Sequence, residues 1–207
     1  MLELLVVSLI IAFRLIPVTD TPVILLIGWL SLRLRYLKWR DVGIRKPTNI
    51  PYTVIGGVLL GVSYWFFEVY VIEPFIESQT GTPVDLSQFE AVQGNLIYYL
   101  ILLALAWTLA AFAEEMVYRG YLLNRFADLL GEQPWRWGVA VVLVALLFGA
   151  AHTYQGISGM IVVFIYAVVV GSLYLLSGRN MWLPIIFHGA SDTIGITFLY
   201  LGLYPGL

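Results

Sequence analysis

Residues 96–113 read LIYYLILLALAWTLAAFA, a run of 18 residues that contains no Asp, Glu, Lys or Arg. A run of this length is typical of a helix that crosses a bilayer, because about 20 apolar residues span the hydrocarbon core. The composition agrees, since 60% of the 207 residues are hydrophobic and only 12% are charged. Ordinary soluble domains carry about 25% charged residues. We therefore expect an integral membrane protein.

Six further apolar runs, separated by proline, glycine and charged residues, accompany this one. Continuous apolar runs favour helices over strands, and a helix satisfies its own backbone hydrogen bonds in lipid. The predicted fold is an all-α, polytopic membrane helical bundle of about seven transmembrane helices, forming a single membrane domain over residues 1–207. The stretch Pro17–Pro22 separates the first two helices. The predicted helices lie at 2–16, 20–36, 51–72, 95–117, 137–153, 159–177 and 182–203.

Basic residues concentrate on one side of this predicted bundle. Six Lys and Arg residues lie within 33–46, around the loop after the second helix, whereas the loop at 73–94 has four acidic residues and no Lys or Arg. Basic loops mark the cytoplasmic side. The amino terminus is therefore predicted to be cytoplasmic, and the membrane to be the plasma membrane. No basic tail or basic-aromatic interleaving indicates nucleic-acid binding.

Three clusters of ionisable residues interrupt the apolar helices. They are EEMVYR at 114–119, FGAAH at 148–152 and HGASD at 188–192. An ionisable side chain in a membrane helix costs about 2.5–3.5 kcal/mol on insertion scales, whereas intramembrane polar contacts contribute about 0.6 kcal/mol on average. Any one cluster could be structural, but three together favour a functional site.

The spacing within the clusters places pairs of side chains on one helix face, because residues four apart are neighbours on a helix. Glu115 can therefore pair with Arg119. Glu114 points about 100° away from Glu115 around an α-helix, so it faces a different neighbour. Because Arg119 pairs with Glu115, Glu114 is left as the candidate base. His188 shares a face with Asp192 in the same way. The chain has only two histidines, both in these clusters, and its lack of Cys excludes a Cys nucleophile and thiolate metal ligands.

The motifs E-E-x-x-x-R, F-x-x-x-H and H-x-x-x-D, in this order on separate helices, resemble those of a known family. It is the CAAX prenyl protease and bacteriocin-processing (CPBP, or Abi) family of intramembrane peptidases. The motifs cover about residues 110–193, and the peptidase-like core would extend over about 95–203. The resemblance implies an endopeptidase that hydrolyses a peptide bond within the membrane. Its substrate would be a prenylated CAAX-type protein or a small exported or leader peptide. Membrane lipid would surround the enzyme, and its oligomeric state is left open.

The resemblance also implies a role for each motif residue. Glu114 and His152 would orient and deprotonate the attacking water. Glu115 and Arg119 would hold the helix and adjust the local charge. His188 and its partner four residues on would stabilise the oxyanion.

The last motif departs from the prenyl-protease branch, where it usually ends in Asn. An Asn amide can donate a hydrogen bond to an oxyanion, whereas Asp192, when ionised, only accepts one. We therefore expect Asp192 to orient His188 through a hydrogen bond, as carboxylates do for histidines in metal sites.

The sequence leaves open whether a metal takes part. His152, His188 and a carboxylate from Glu115 or Asp192 could form the two-histidine, one-carboxylate set of a catalytic zinc site. Members of the family have been described both as metalloproteases and as metal-free glutamate peptidases, and the chain has no H-E-x-x-H motif. No cofactor is therefore assigned, and zinc stays open.

Two other functions compete with the peptidase. A non-catalytic membrane protein of the same fold could act in bacteriocin immunity or partner binding, and a small transporter could use Glu114 and His152 as a proton relay. The complete motifs favour the peptidase, because a binder needs neither the base nor both histidines. No inverted repeat supports the transporter.

Helix geometry adds three expectations. In straight helices His152 and His188 would lie on the order of 15 Å apart in depth, so a shared site needs a tilted or broken helix. The glycines of HTYQGISG, residues 152–159, favour such a break.

Gly57 and Gly61 are expected to pack closely against another helix. Glu68 could line a cavity, but near the outer interface its solvation costs little, and this second interpretation is the one we expect.

Overall fold

A computed structural model of the chain describes residues 2–16 and 19–205. Over these residues the chain forms seven segments that contain an α-helix, two separate short 3₁₀ helices (Trp39–Val42 and Ser87–Val92) and no strand, which confirms the all-α prediction. Pro17 and Val18, at the predicted break between the first two helices, lie outside the described residues. The α-helices are α1 Leu2–Ala12, α2 Thr21–Leu34, α3 Ile50–Phe67, α4 Glu73–Thr80, α5 Leu96–Leu105, α6 Asn124–Leu129, α7 Arg136–Ala151, α8 Gly156–Leu176 and α9 Trp182–Leu201.

Three of the helical segments are long and apolar enough to cross a membrane: Ile50–Thr80, Leu96–Leu129 and Thr153–Leu176. Helices α1, α2 and α7 are shorter apolar helices. A membrane helical bundle therefore fits the described part of the chain, while the number of seven crossings stays a prediction.

The fourth helical segment differs from the predicted α-helix at 95–117 in both length and winding. It continues to Leu129, and its middle consists of two π-helical stretches, Ala106–Glu114 and Met116–Leu123. A π-helix closes i→i+5 hydrogen bonds, a rare winding that is frequently found at functional sites. The segment that carries the Glu-Glu motif is therefore wound differently from the helices around it.

Polar caps show why two of the long segments begin where they do. The side-chain oxygen of Asn49 accepts a hydrogen bond from the backbone N–H of Tyr52 at 3.1 Å, and that of Asn95 accepts one from Tyr98 at 3.2 Å. Each cap satisfies a backbone donor that has no partner within the helix. At the other end of the first of these segments, Gly81 has a φ of +76°, and this left-handed conformation ends α4.

The buried side chains form one main core shared by the amino-terminal helices, the fourth segment, α7, α8 and α9. In lipid such a core is held by close packing and internal polar contacts, because the lipid tails are as apolar as the side chains. Representative members from these elements are Val7, Ile24, Val117, Leu122, Val144, Phe148, Val170 and Phe187.

Helices α3 and α9 approach each other at two glycines. A Cβ atom at Gly57 would lie 2.7 Å from Cγ2 of Ile186, and one at Gly61 would overlap the carbonyl oxygen of Phe187. Small residues allow helix backbones to approach this closely in a membrane protein. The close packing predicted for this glycine pair is therefore confirmed, and it fixes α9, which carries His188.

Gly61→Ala should lower the free energy of unfolding by about 1–3 kcal/mol, because the added methyl group forces two backbones apart. Unfolding in detergent micelles measures the change. Gly56→Ala is the matched control, since a Cβ at Gly56 has no neighbour within 4 Å. Equal stability of the two variants would contradict the close α3–α9 contact.

Candidate active site

Glu115 and Arg119 form a fully buried ion pair in the fourth helical segment. Arg119 Nη1 donates to Glu115 Oε1 at 3.0 Å, and both side chains are 0% exposed. Arg119 Nη2 donates to the backbone oxygen of Ala167 on α8 at 3.1 Å, and its guanidinium carbon lies 5.0 Å from the ring centre of Phe148 on α7. The predicted pair is confirmed, and it ties three helical segments together.

His188 on α9 extends this pair. Its Nδ1 lies 2.9 Å from the same Glu115 Oε1 that Arg119 contacts. Its Nε2 lies 3.5 Å from Oδ2 of Asp192, which is long for a hydrogen bond. The closer orienting partner of His188 is therefore Glu115, whereas the expected contact with Asp192 is present in a looser form.

His152 lies where α7 ends. Its Nδ1 is 2.7 Å from the carbonyl oxygen of Phe148. A carbonyl only accepts hydrogen bonds, so Nδ1 carries the hydrogen and, in the neutral ring, Nε2 keeps its lone pair. A single 3₁₀ turn, Thr153–Gln155, follows before α8 begins at Gly156, whose φ is +73°. The predicted break after His152 is thus confirmed.

One cavity of about 320 Å³ brings the separate motifs together. It is lined by four of the six candidate residues, Glu114, His152, His188 and Asp192. Glu114, His152 and His188 therefore share one cavity, as a common site requires. Glu115 and Arg119 are not part of its wall and contact it through His188. The remaining wall is mostly apolar, with no Lys or Arg among the described residues that line it.

Glu114 lies between this cavity and a second one of about 210 Å³. Its carboxylate forms no hydrogen bond or ion pair with any described side chain, unlike that of Glu115. The second cavity also reaches His152, and its wall is more polar, with Arg14 and Asp20. Glu114 and His152 are thus open to small molecules from two sides.

Residues 96–194 match the family model of the Rce1-like proteins, described as type II CAAX prenyl endopeptidases. The match covers 99 of the 207 residues. It contains all six candidate residues and confirms the resemblance to the CAAX prenyl protease and bacteriocin-processing family. No curated protein and no solved structure gave a match in the corresponding comparisons. This Rce1-like segment is thus similar to a protease family, while the catalytic role of each of its residues stays a prediction.

The side chains of the Rce1-like site do not fit the zinc alternative. Both nitrogens of His188 face carboxylate oxygens, so that of the two histidines only His152, through Nε2, keeps a free lone pair for a metal ion. Within residues 2–16 and 19–205, no group of three His, Asp or Glu side chains is arranged to hold a metal ion. The geometry therefore does not support a metal centre built from the candidate residues.

Glu68 lines the main cavity of the Rce1-like site, which is the first of the two interpretations that the sequence offered for it. Its Oε2 atom is buried. The predicted third helix ended at residue 72, whereas the helical segment continues to Thr80. Glu68 therefore lies well inside this segment, where an ionisable residue is a functional candidate.

Proposed function

We propose that this chain is an intramembrane endopeptidase that hydrolyses a peptide bond of a prenylated CAAX-type protein or of a small exported or leader peptide. The observation that supports this proposal most strongly is that Glu114, His152 and His188 line one cavity. Their helical segments are far apart in sequence, yet all three residues fall within the segment that matches the model of an endopeptidase family. The apolar wall of the cavity suits an apolar or lipid-modified substrate.

In the proposed mechanism a water molecule lies between Glu114 and Nε2 of His152. The carboxylate of Glu114 takes a proton while the water oxygen forms a bond to the carbonyl carbon of the scissile peptide. The carbonyl oxygen gains the negative charge of the tetrahedral intermediate. When the C–N bond breaks, the proton on Glu114 passes to the leaving nitrogen, so that one water is consumed and two peptide ends are released.

The other motif residues position this machinery. Glu115 holds His188 through Nδ1, and Arg119 compensates the buried charge of Glu115. Asp192 faces Nε2 of His188 across 3.5 Å and keeps that side of the ring turned toward the cavity. Glu115, Arg119 and Asp192 thus hold His188 at the cavity wall, where the scissile carbonyl would bind.

The proposal extends to the whole chain. We propose that residues 1–207 form a single membrane domain with the peptidase-like core at about 95–203. The basic residues within 33–46 support a cytoplasmic amino terminus, in a protein of the plasma membrane.

The proposed function is tested by a cleavage assay on purified protein in liposomes, with prenylated CAAX-type peptides and leader-type peptides as substrates. We expect one of these classes to be cleaved, and cleavage to continue when a zinc chelator is added. Inhibition that added zinc reverses would instead establish a metal requirement. If neither peptide class is cleaved while an immunity or partner-binding phenotype persists, the non-catalytic alternative is correct.

A further inference from the structure

Tyr166 on α8 is a buried polar residue to which the mechanism above gives no role. It is 7% exposed and lines the main cavity together with Glu114, His152 and His188. Its hydroxyl has no hydrogen-bond partner among the residues that the structure describes. Buried polar groups are nearly always paired, and exceptions call for an explanation such as a catalytic role.

The ring of Tyr166 is fixed by aromatic neighbours. Its centre lies 5.3 Å from the ring of His188 at an interplanar angle of 70°, and 5.6 Å from the ring of Tyr64 at 64°. Phe187 and Phe148 lie 5.7 Å and 6.4 Å away. A hydroxyl on a ring held in this way needs little rearrangement to act on a bound substrate, which is the property of an effective electrostatic catalyst.

Peptide hydrolysis at this site needs a hydrogen-bond donor for the developing oxyanion. His188 is a poor sole donor, because Nδ1 contacts Glu115 at 2.9 Å and Nε2 faces Asp192 at 3.5 Å. Glu114 and Asp192 are carboxylates, which accept hydrogen bonds when ionised. Tyr166 lies beside His188 in the wall of the same cavity, and its hydroxyl is a hydrogen-bond donor without a partner among the described residues.

We propose that Tyr166 is a catalytic residue whose hydroxyl donates a hydrogen bond to the carbonyl oxygen of the scissile peptide as that oxygen becomes negatively charged. This inference depends on the proposed peptidase function. The water oxygen bonds to the carbonyl carbon, its proton goes to Glu114, and the electron pair of the C=O bond moves onto the oxygen that Tyr166 contacts. The O–H bond of Tyr166 stays intact, and its hydrogen bond weakens again when the C–N bond breaks.

Tyr121 provides a matched control for this proposal. It is 0% exposed, its hydroxyl also has no partner among the described residues, and it lines neither of the two cavities. Its replacement by Phe removes the same atom from an equally buried position away from the site.

The test compares Tyr166→Phe, Tyr121→Phe and the wild type in the liposome cleavage assay. We expect Tyr166→Phe to lower kcat by about 100–1,000-fold, the usual effect of losing one oxyanion donor, with KM and the thermal unfolding temperature little changed. Tyr121→Phe should keep the wild-type kcat.

A peptidyl difluoromethyl ketone, whose hydrate imitates the tetrahedral intermediate, supplies a second measurement. Its inhibition constant should rise in Tyr166→Phe by the same factor by which kcat/KM falls, and should stay constant in Tyr121→Phe. Wild-type kcat in Tyr166→Phe, or an equal loss in both variants, would overturn the role of Tyr166 while leaving the peptidase function intact. Loss of folded protein in Tyr166→Phe alone would show a structural hydroxyl and overturn it too. A wild type that cleaves no substrate would overturn both proposals.

Discussion

Glu114→Gln should reduce peptide cleavage by about 100–10,000-fold, the range of general-base contributions. The amide has nearly the same size and still forms hydrogen bonds, but it cannot take a proton from water. Because Glu114 forms no ion pair with the described residues, the substitution should leave folding and membrane insertion unchanged. Turnover by purified protein in liposomes measures the loss, and the thermal unfolding temperature checks the fold.

Two further variants complete this test. Glu77→Gln, the same substitution at an exposed position of α4, should keep full activity. His152→Ala should be about as inactive as Glu114→Gln, because the water loses the lone pair of Nε2 that helps to orient it. Retained cleavage in Glu114→Gln would exclude Glu114 as the base.

Arg119→Ala should lower the free energy of unfolding by about 3–5 kcal/mol, the usual cost of removing one partner from a buried ion pair. The carboxylate of Glu115 would remain buried with His188 as its neighbour and with its main compensating charge removed. Equilibrium unfolding in detergent micelles measures this loss, which is a large fraction of the total stability of a typical domain.

The matched control for this variant is Arg40→Ala. Arg40 lies 3.8 Å from Asp41, and the two side chains are 76% and 42% exposed, so the loss should stay below about 1 kcal/mol, as for exposed ion pairs. If Arg119→Ala were no less stable than Arg40→Ala, the Glu115–Arg119 pair would contribute nothing beyond a solvated surface contact.

The features that could be predicted from the sequence are those that helix geometry determines locally. The apolar runs predicted the seven helical segments, and the four-residue spacing predicted the contact of Glu115 with Arg119. The glycine pair predicted a close helix contact, although not its partner. Each of these predictions depends on residues within one helix, where spacing translates directly into position.

The features that could not be predicted depend on how the helices are arranged relative to one another. The bond between Glu115 and His188 joins residues 73 positions apart, and no local pattern indicates which face of α9 meets the fourth segment. The π-helical winding of that segment also escaped prediction, because apolar periodicity is too coarse to distinguish it from an α-helix. Tyr166 was missed because a tyrosine in an apolar helix resembles an ordinary packing residue until the structure shows that the residue lines the cavity and that its hydroxyl has no partner among the described residues.

The glycine contact between α3 and α9 has a consequence for biosynthesis. Ala190, which faces Gly61, is synthesised roughly 130 residues after it. At about 5–20 residues per second, Gly61 therefore lacks this packing partner for on the order of 6–26 s. His188 arrives on the same late helix. The candidate site therefore stays incomplete while the ribosome is still extending the chain, and a nascent chain that lacks α9 has not yet assembled the proposed peptidase site.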